Sequence, residues 1–228
     1  MLIQIVICNL NLAATEQDGC LRLEHALARL LPEAEVTLHH FAQIRRDPVL
    51  IARATALVLG PQGTPFSAYD RGFLPWLRAL IEVYPGPVLG VCGGMQALAL
   101  AWGGQLKTTF GENLGDSYTG LQKIRGPLPI QLHPRDLPPW LPDRARRRLE
   151  GWQEKGGLCF ESHVEQVVEV PNSFVLVAQS LHTPVEAMLH RRRPVMASQF
   201  HPELGWDEGC SAGKLWMEAW LDIVRAVA

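Results

Sequence analysis

The segment that most constrains the fold is Pro87–Val91, an apolar run followed almost at once by a helical pattern, Gly94–Trp102. A strand with no alternation of apolar and polar residues is typical of the middle of a parallel sheet, where both faces are covered. Short apolar runs alternate with helical patterns along much of the chain. This alternation predicts an α/β protein with a mostly parallel central sheet.

The remaining elements are placed by hydrophobic periodicity. We predict strands at Leu2–Cys8, Val36–His40, Ala56–Leu59, Pro87–Val91, Leu158–His163, Phe174–Gln179, Val185–Leu189 and Val195–Phe200, and helices at Asp18–Leu31, Phe73–Val83, Gly94–Trp102 and about Ala212–Val227. We predict a single domain over residues 1–228, interrupted by an irregular, Pro- and Arg-rich excursion at about 126–157. The basic stretch Arg144–Arg148 within that excursion is either a solvated helix face or a docking patch.

Composition excludes several classes of protein. The chain has 21 Lys and Arg against 23 Asp and Glu, so no broad basic face is available for nucleic acid. Its five cysteines are an odd number without CxxC spacing, which argues against a disulfide framework or a zinc site. No apolar run is long enough to span a membrane. We therefore expect a cytoplasmic protein with no metal, no cofactor, no bound nucleic acid and no membrane association.

A candidate nucleophile lies where the apolar strand meets the helix, in the sequence Gly90-Val91-Cys92-Gly93-Gly94. This pattern is that of a nucleophile elbow, in which glycines let a strained strand-to-helix turn close. The N-terminus of the following helix favours a thiolate and can stabilise an oxyanion. Taken alone, a cysteine beside glycines is more often a buried structural residue.

A candidate base and its orienting acid follow the last predicted strand, in the sequence Gln199-Phe200-His201-Pro202-Glu203. Residues two apart in an extended segment point to the same side, so Glu203 can accept a hydrogen bond from one ring nitrogen of His201. The other nitrogen is then available as a general base. Taken alone, His-Pro-Glu is a common surface tripeptide.

Together, the segment from Gly90 to Gln96 and the segment from Gln199 to Glu203 resemble the paired motifs of class I glutamine amidotransferases, in particular the amidotransferase portion of guanosine monophosphate synthetases. The resemblance implies a flavodoxin-like three-layer sandwich. It also implies a Cys92–His201–Glu203 triad that hydrolyses the side-chain amide of glutamine through a thioester.

The resemblance also implies residues that bind the substrate and the oxyanion. Gln96, Ser162, His163 and Val164 match positions around the glutamine pocket, although many relatives have Gly or Ser at the position of Val164, and His163 is more plausible as a structural residue. Gly93 would give one oxyanion donor. The second falls in Gly60-Pro61-Gln62-Gly63, where one alignment places Pro61, which has no N–H; we prefer Gly60, with Gln62 or Gly63 as alternatives.

The sequence contains no phosphate-binding loop, so chemistry on an ammonia acceptor is expected in a separate synthetase or ligase. The leading hypothesis is a glutaminase that supplies ammonia to that partner. One alternative is a free-standing γ-glutamyl hydrolase with the same triad. The second is a non-catalytic regulatory or scaffold subunit, for which the departures at Pro61 and Val164 are the motivation.

Overall fold

The computed structural model describes residues 2–228, which form twelve strands and seven α-helices. The strands are β1 (Gln4–Asn9), β2 (Glu35–His40), β3 (Ala56–Leu59), β4 (Val88–Val91), β5 (Gln105–Thr108), β6 (Ile124–Pro129), β7 (Gln131–Leu132), β8 (Leu158–His163), β9 (Glu165–Glu169), β10 (Phe174–Gln179), β11 (Ala187–His190) and β12 (Val195–Ser198). The helices are α1 (Asp18–Leu30), α2 (Phe41–Arg46), α3 (Val49–Ala52), α4 (Phe73–Val83), α5 (Gly93–Ala101), α6 (Asp143–Glu150) and α7 (Ser211–Val227).

Eight strands form the central sheet, in the order β2-β1-β3-β4-β12-β11-β10-β7. The pairs from β2 to β12 are parallel, and the pairs from β12 to β7 are antiparallel. Strand β4 lies between β3 and β12, with Leu59 opposite Gly90 and Ser198 opposite Val91. The carboxyl ends of these three strands therefore meet at one edge of the sheet, which is where ligands bind in open α/β sheets.

Helices cover both faces of the sheet. One core joins the sheet to α1, α6 and α7, with Leu27, Leu149, Trp216 and Trp220 among its buried side chains. The other joins the sheet to α2, α4 and α5. The predicted α/β class, with its flavodoxin-like three layers and mostly parallel sheet, is confirmed. No helix within residues 2–228 has the length and apolar character needed to cross a lipid bilayer.

The stretch at 126–157, for which we expected an irregular excursion, contains regular elements. Most of β6 lies in it and pairs antiparallel with β8, β7 extends the central sheet beyond β10, and α6 packs on α7. The Pro residues and the polar helix leave no clear periodicity in this stretch of the sequence. In addition, β6 and β7 pair with strands that are distant along the chain, so local patterns do not indicate the pairings. The assignment of residues 1–228 to one domain stays a prediction.

The basic stretch on α6 is partly committed to holding the fold together. Arg148 donates to the carboxylate of Asp222 on α7, with an Nε–Oδ2 distance of 2.5 Å, and Arg144 lies 3.1 Å from the other carboxylate oxygen. The Asp222 side chain is only 1% exposed, and Arg225 lies 3.5 Å from it. Arg144 and Arg148 thus pair with Asp222 of the same chain, although the Arg144 side chain is 65% exposed, and Arg147 is exposed as well.

We expect Asp222→Ala to lower the free energy of unfolding by about 3 kcal/mol, because it leaves arginines without their buried counter-charge. Glu82→Ala is the matched control, since it breaks an ion pair with Arg78 in which both side chains are 50% exposed. Such a surface pair contributes little. Urea unfolding followed by far-ultraviolet circular dichroism measures both. Equal stability of the two variants would contradict a structural role for the Asp222 cluster.

Candidate functional site

Cys92 occupies the turn between β4 and α5, directly at the end of the helix where N–H groups are free. Within residues 2–228 it is the only non-glycine residue with a positive φ, 51°. Its own N–H donates to the carbonyl of Ser198 at 2.8 Å, which fixes the turn to β12. A strained backbone held in this way presents the thiol to the cavities beside it, although Cys92 is only 5% exposed.

The glycines of the elbow are required by close packing. A Cβ on Gly94 would lie 2.8 Å from the carbonyl carbon of Leu59, and one on Gly90 would lie 3.0 Å from the backbone of Gly94. Neither backbone can move without disturbing the sheet. The Gly-x-Cys-x-Gly pattern therefore has a steric cause at both ends.

His201 and Glu203 follow β12, the strand next to that of Cys92. His201 Nδ1 lies 2.8 Å from Glu203 Oε1, and both side chains are buried. Because a carboxylate can only accept, Nδ1 carries the hydrogen, and Nε2 is the ring nitrogen left to interact with the nearby Cys92 thiol. The His201 N–H also donates to the carbonyl of Phe160 at 2.8 Å, which ties the histidine to β8.

The surroundings of His201 favour its charged form. Burial by itself lowers the pKa of the imidazole, but the Glu203 carboxylate and the sulfur of Cys92 more than offset this and raise the pKa well above its ordinary value. A histidine that holds its proton beside a thiol stabilises the thiolate. His201 is therefore placed to exchange a proton with the Cys92 sulfur.

The structure bears on the expected oxyanion donors. Gly93 is the first residue of α5, where helical N–H groups have no partner within the helix. The N–H of Gly60, our preferred second donor, instead bonds to the carbonyl of Cys8 at 3.0 Å, and that of Gly63 bonds to Asn11 Oδ1 at 2.9 Å. The backbone nitrogen of Gln62 lies beside Gly93, 2.7 Å from where a Cβ on that glycine would be. We therefore propose Gln62 in place of Gly60 as the second oxyanion donor.

A cavity of about 270 Å³ opens beside Cys92 and takes in the expected substrate residues Gln96, Ser162, His163 and Val164. Gln96 is 2% exposed, and its Nε2 donates to the carbonyl of Glu165 at 2.6 Å and to Gln199 Oε1 at 3.2 Å. Gln96 therefore holds the strand that lines the cavity. His163 bonds to the backbone of the same strand, with Nδ1 3.1 Å from the Glu165 carbonyl.

Sequence reasoning missed Tyr118, Leu121, Lys123 and Glu165, which line the same cavity, and considered Gln62 only as an oxyanion donor. The Tyr118 hydroxyl donates to the Glu165 carboxylate at 2.7 Å. Burial raises the pKa of the Glu165 carboxyl, and the Tyr118 hydrogen bond opposes that shift. Lys123 places a cation in the same cavity. Residues 109–123 show no periodicity, so no signal in the sequence placed Tyr118 or Lys123 here.

A second cavity, of about 380 Å³, lies on the His201 side of Cys92. It is bordered by Asn11, Glu16, Asp18 and Lys123 together with Cys92 and His201. Cys92 thus lines both cavities, which also share Gln62, Gly63, Lys123 and Ser162. Among residues 2–228 no group of three or more His, Cys, Asp or Glu side chains is arranged to hold a metal ion.

Comparisons with known proteins identify the family to which the sequence is similar. The family model for glutamine amidotransferase class-I matches residues 22–209. One subunit of the glutamine-hydrolysing GMP synthase from Thermococcus kodakarensis is 35% identical over 133 residues, which are 57% of this chain and 59% of that protein. A glutamine-hydrolysing GMP synthase from Carboxydothermus hydrogenoformans is 30% identical over 142 residues, 62% of this chain and 23% of that protein. The matched region thus spans less than two thirds of the length of either relative.

The fold is also found among solved structures. The crystal structure of a candidate GMP synthase subunit from Thermoplasma acidophilum superposes with a TM-score of 0.68 at 20% identity, covering 99% of this chain and 96% of that one. At this level of identity the likeness shows the fold alone.

Proposed function

Because the chain belongs to the class I glutamine amidotransferase family, we propose that it hydrolyses the side-chain amide of glutamine with Cys92 as nucleophile, His201 as general acid and base, and Glu203 as the group that orients the histidine. The observation that carries the proposal is the meeting of Cys92 with the hydrogen-bonded pair His201–Glu203 at the carboxyl ends of adjacent strands.

In this reaction the Cys92 thiolate attacks the amide carbon, and the carbonyl electrons move to oxygen. The N–H groups of Gly93 and Gln62 would hold that oxyanion. His201 gives its proton to the amide nitrogen, which leaves as ammonia when the C–N bond breaks, and a thioester remains. His201 then removes a proton from water as it attacks the thioester, so that glutamate leaves and the thiol is restored.

The cavity containing Gln96 suits the amino-acid end of the substrate. Free glutamine carries an α-ammonium and an α-carboxylate, and the cavity offers the Glu165 carboxyl and the Lys123 ammonium. Opposite charges at fixed positions favour a zwitterion over a simple amide. The backbone of Ser162 and Val164 would supply the remaining polar contacts.

The names of the relatives support a separate partner. Several are named as one subunit of GMP synthase, and the chain contains no phosphate-binding loop of its own. We propose that ammonia passes to a separate synthetase subunit. The five buried free cysteines fit a reducing compartment such as the cytoplasm.

One observation favours a second candidate function. The 380 Å³ cavity beside His201 is larger than ammonia requires and could hold the amine portion of a γ-glutamyl conjugate. A free-standing γ-glutamyl hydrolase with the same triad would use it for the leaving group.

Steady-state kinetics with glutamine and with a γ-glutamyl anilide separate these functions. We expect glutamine to be the better substrate by kcat/KM, and its turnover to rise when the synthetase encoded nearest to this chain is added. Preference for the anilide would favour the γ-glutamyl hydrolase.

A glutamine analogue with an electrophilic diazoketone should label Cys92 and spare the other four cysteines. An unlabelled Cys92 with no turnover would favour the non-catalytic alternative.

A further inference from the structure

Two glutamates face each other in the interior beside the candidate site, and the mechanism above does not use them. Glu161 lies on β8 and Glu186 immediately precedes β11, and both are 0% exposed. Their carboxyl groups are within hydrogen-bonding reach of each other. The backbone of this pair is hydrogen-bonded to the segment that carries His201, because the carbonyl of Glu186 accepts from the N–H of Gln199 at 2.8 Å.

The hydrogen-bond inventory of this pair requires a proton. Among the described residues no N–H or O–H donor makes a well-formed hydrogen bond to any of the four carboxyl oxygens, although the Ser180 hydroxyl lies near Glu186. Two ionised carboxylates in contact repel each other, and burial penalises each charge. One added proton turns the repulsion into a hydrogen bond, as in other paired carboxyl groups that share a site.

His163 leads to the same conclusion from the other side. Its Nδ1 lies 3.1 Å from the Glu165 carbonyl, which can only accept, so Nδ1 carries the hydrogen. The Thr109 hydroxyl does not supply that hydrogen, since it donates to the carbonyl of Val164 at 2.9 Å. In a neutral imidazole Nε2 is then an acceptor, and it lies 3.2 Å from Glu161 Oε2. Among the described residues no N–H or O–H donor satisfies this buried nitrogen, and Glu161, as a carboxylic acid, is the group placed to donate to it.

We propose that Glu161 and Glu186 are positioning residues that keep two protons in the interior, one on each carboxyl group, and, through His163, fix the backbone of residues 162–165 where the substrate binds. The inference rests on the proposed glutaminase function and deepens it. The chain of hydrogen bonds runs from Glu186 to Glu161, to His163, and to the Glu165 carbonyl, which also accepts from Gln96.

The charges around the pair agree with this protonation state. Burial raises the pKa of Glu161 to about 7, and the hydrogen bond from Glu186 and the charge of His201 only moderate that effect. Burial, with the Glu161 charge added, raises the pKa of Glu186, and burial lowers the pKa of His163 to about 4. The other titratable groups that act on this cluster are Lys123, Cys159, His201 and Cys210.

Ionisation of Glu161 would break the chain. A carboxylate opposite a bare Nε2 is repulsive, so His163 would move its hydrogen to Nε2 and lose the bond to the Glu165 carbonyl. Loss of this hydrogen bond would change the equilibrium between the fixed and the displaced backbone of residues 162–165 about fivefold. The effect should fall mainly on KM for glutamine, because residues 162–165 line the binding cavity and none of them belongs to the triad.

Glu161→Gln tests the proposal, because an amide reproduces the neutral acid: its NH₂ can donate to His163 and its oxygen can accept from Glu186. We expect KM for glutamine to rise about fivefold between pH 6 and pH 9 in the wild type, and to change less than about twofold in Glu161→Gln. Glu169→Gln is the matched control, since Glu169 lies at the exposed end of β9 and its side chain bonds only to that of Gln105 among the described contacts; it should follow the wild type.

Infrared spectroscopy supplies a readout independent of activity. At neutral pH the wild type and Glu169→Gln should show a protonated carboxyl band that the double variant Glu161→Gln/Glu186→Gln lacks. An unchanged band in the double variant, or the same pH dependence of KM in Glu161→Gln and the wild type, would overturn the inference. A wild type without glutaminase activity would instead refute the proposed function, and the infrared result would still decide whether the protons are there.

Discussion

Cys92→Ala is expected to lower glutaminase turnover on the order of 10⁵-fold or more, because no other group can form the thioester. Glutamine should still bind with an affinity near that of the wild type, since the cavity around Gln96 and Lys123 is unchanged. Steady-state kinetics and calorimetric titration of glutamine measure the two effects separately.

Cys210→Ala is the matched control for this change. Cys210 is also buried and also precedes a helix, α7, but it lies outside both cavities. It should keep turnover within about threefold of the wild type if the fold is intact. Substantial glutaminase turnover by Cys92→Ala would remove Cys92 from the role of nucleophile.

His201→Ala is expected to cost about as much as loss of the nucleophile, because the two residues act as a unit. Glu203→Gln should be milder, about 10³-fold or more in kcat, since the histidine remains but its tautomer and charge are less well set. Single-turnover and steady-state kinetics would rank the two. A His201→Ala enzyme with turnover near that of the wild type, or one more active than Glu203→Gln, would contradict the assigned roles.

The charges around His201 also predict the direction in which the pH profile of kcat/KM shifts in Glu203→Gln. Burial lowers the pKa of His201, and Glu203 and Cys92 together raise it above its ordinary value. The imidazolium that protonates the leaving ammonia therefore persists as pH rises. Removing the Glu203 charge lowers that pKa, so the alkaline limb of kcat/KM should move to lower pH in Glu203→Gln. A limb that stays in place would mean that Glu203 does not set the charge of His201.

The sequence predicted the fold and the triad candidates because these depend on short-range patterns. The apolar strand, the glycines around Cys92 and the two-residue spacing of His201 and Glu203 each have a local physical cause. Helix α2 was missed for the opposite reason. It begins immediately after β2, and its first turn is capped by the side chain of His40 together with Gln43, a combination that the usual capping residues do not suggest.

Other features could not be read from the sequence because they depend on contacts between distant segments. The hydrogen bond that occupies the N–H of Gly60 runs to Cys8 on β1, and it is the reason for proposing Gln62 as the second oxyanion donor. Strand β6 pairs with β8, although the two segments share no periodicity in the sequence. This pairing places Lys123, the residue before β6, in the cavity. Glu161 and Glu186 have no meaning as a pair until β8 and β11 are packed together.

The order of strands in the sheet has a consequence for the way this protein is made. Strand β12 is the last strand within residues 2–228, yet it fills a central position between β4 and β11. Until the ribosome has released residues 195–198, β4 has an unpaired edge with Val88, Leu89 and Val91 on it, and such an edge invites pairing with other chains. Any nascent chain arrested before β12 would expose that edge and lack His201 and Glu203. The time for which this edge stays open to association is therefore set by how soon β12 is made after β4.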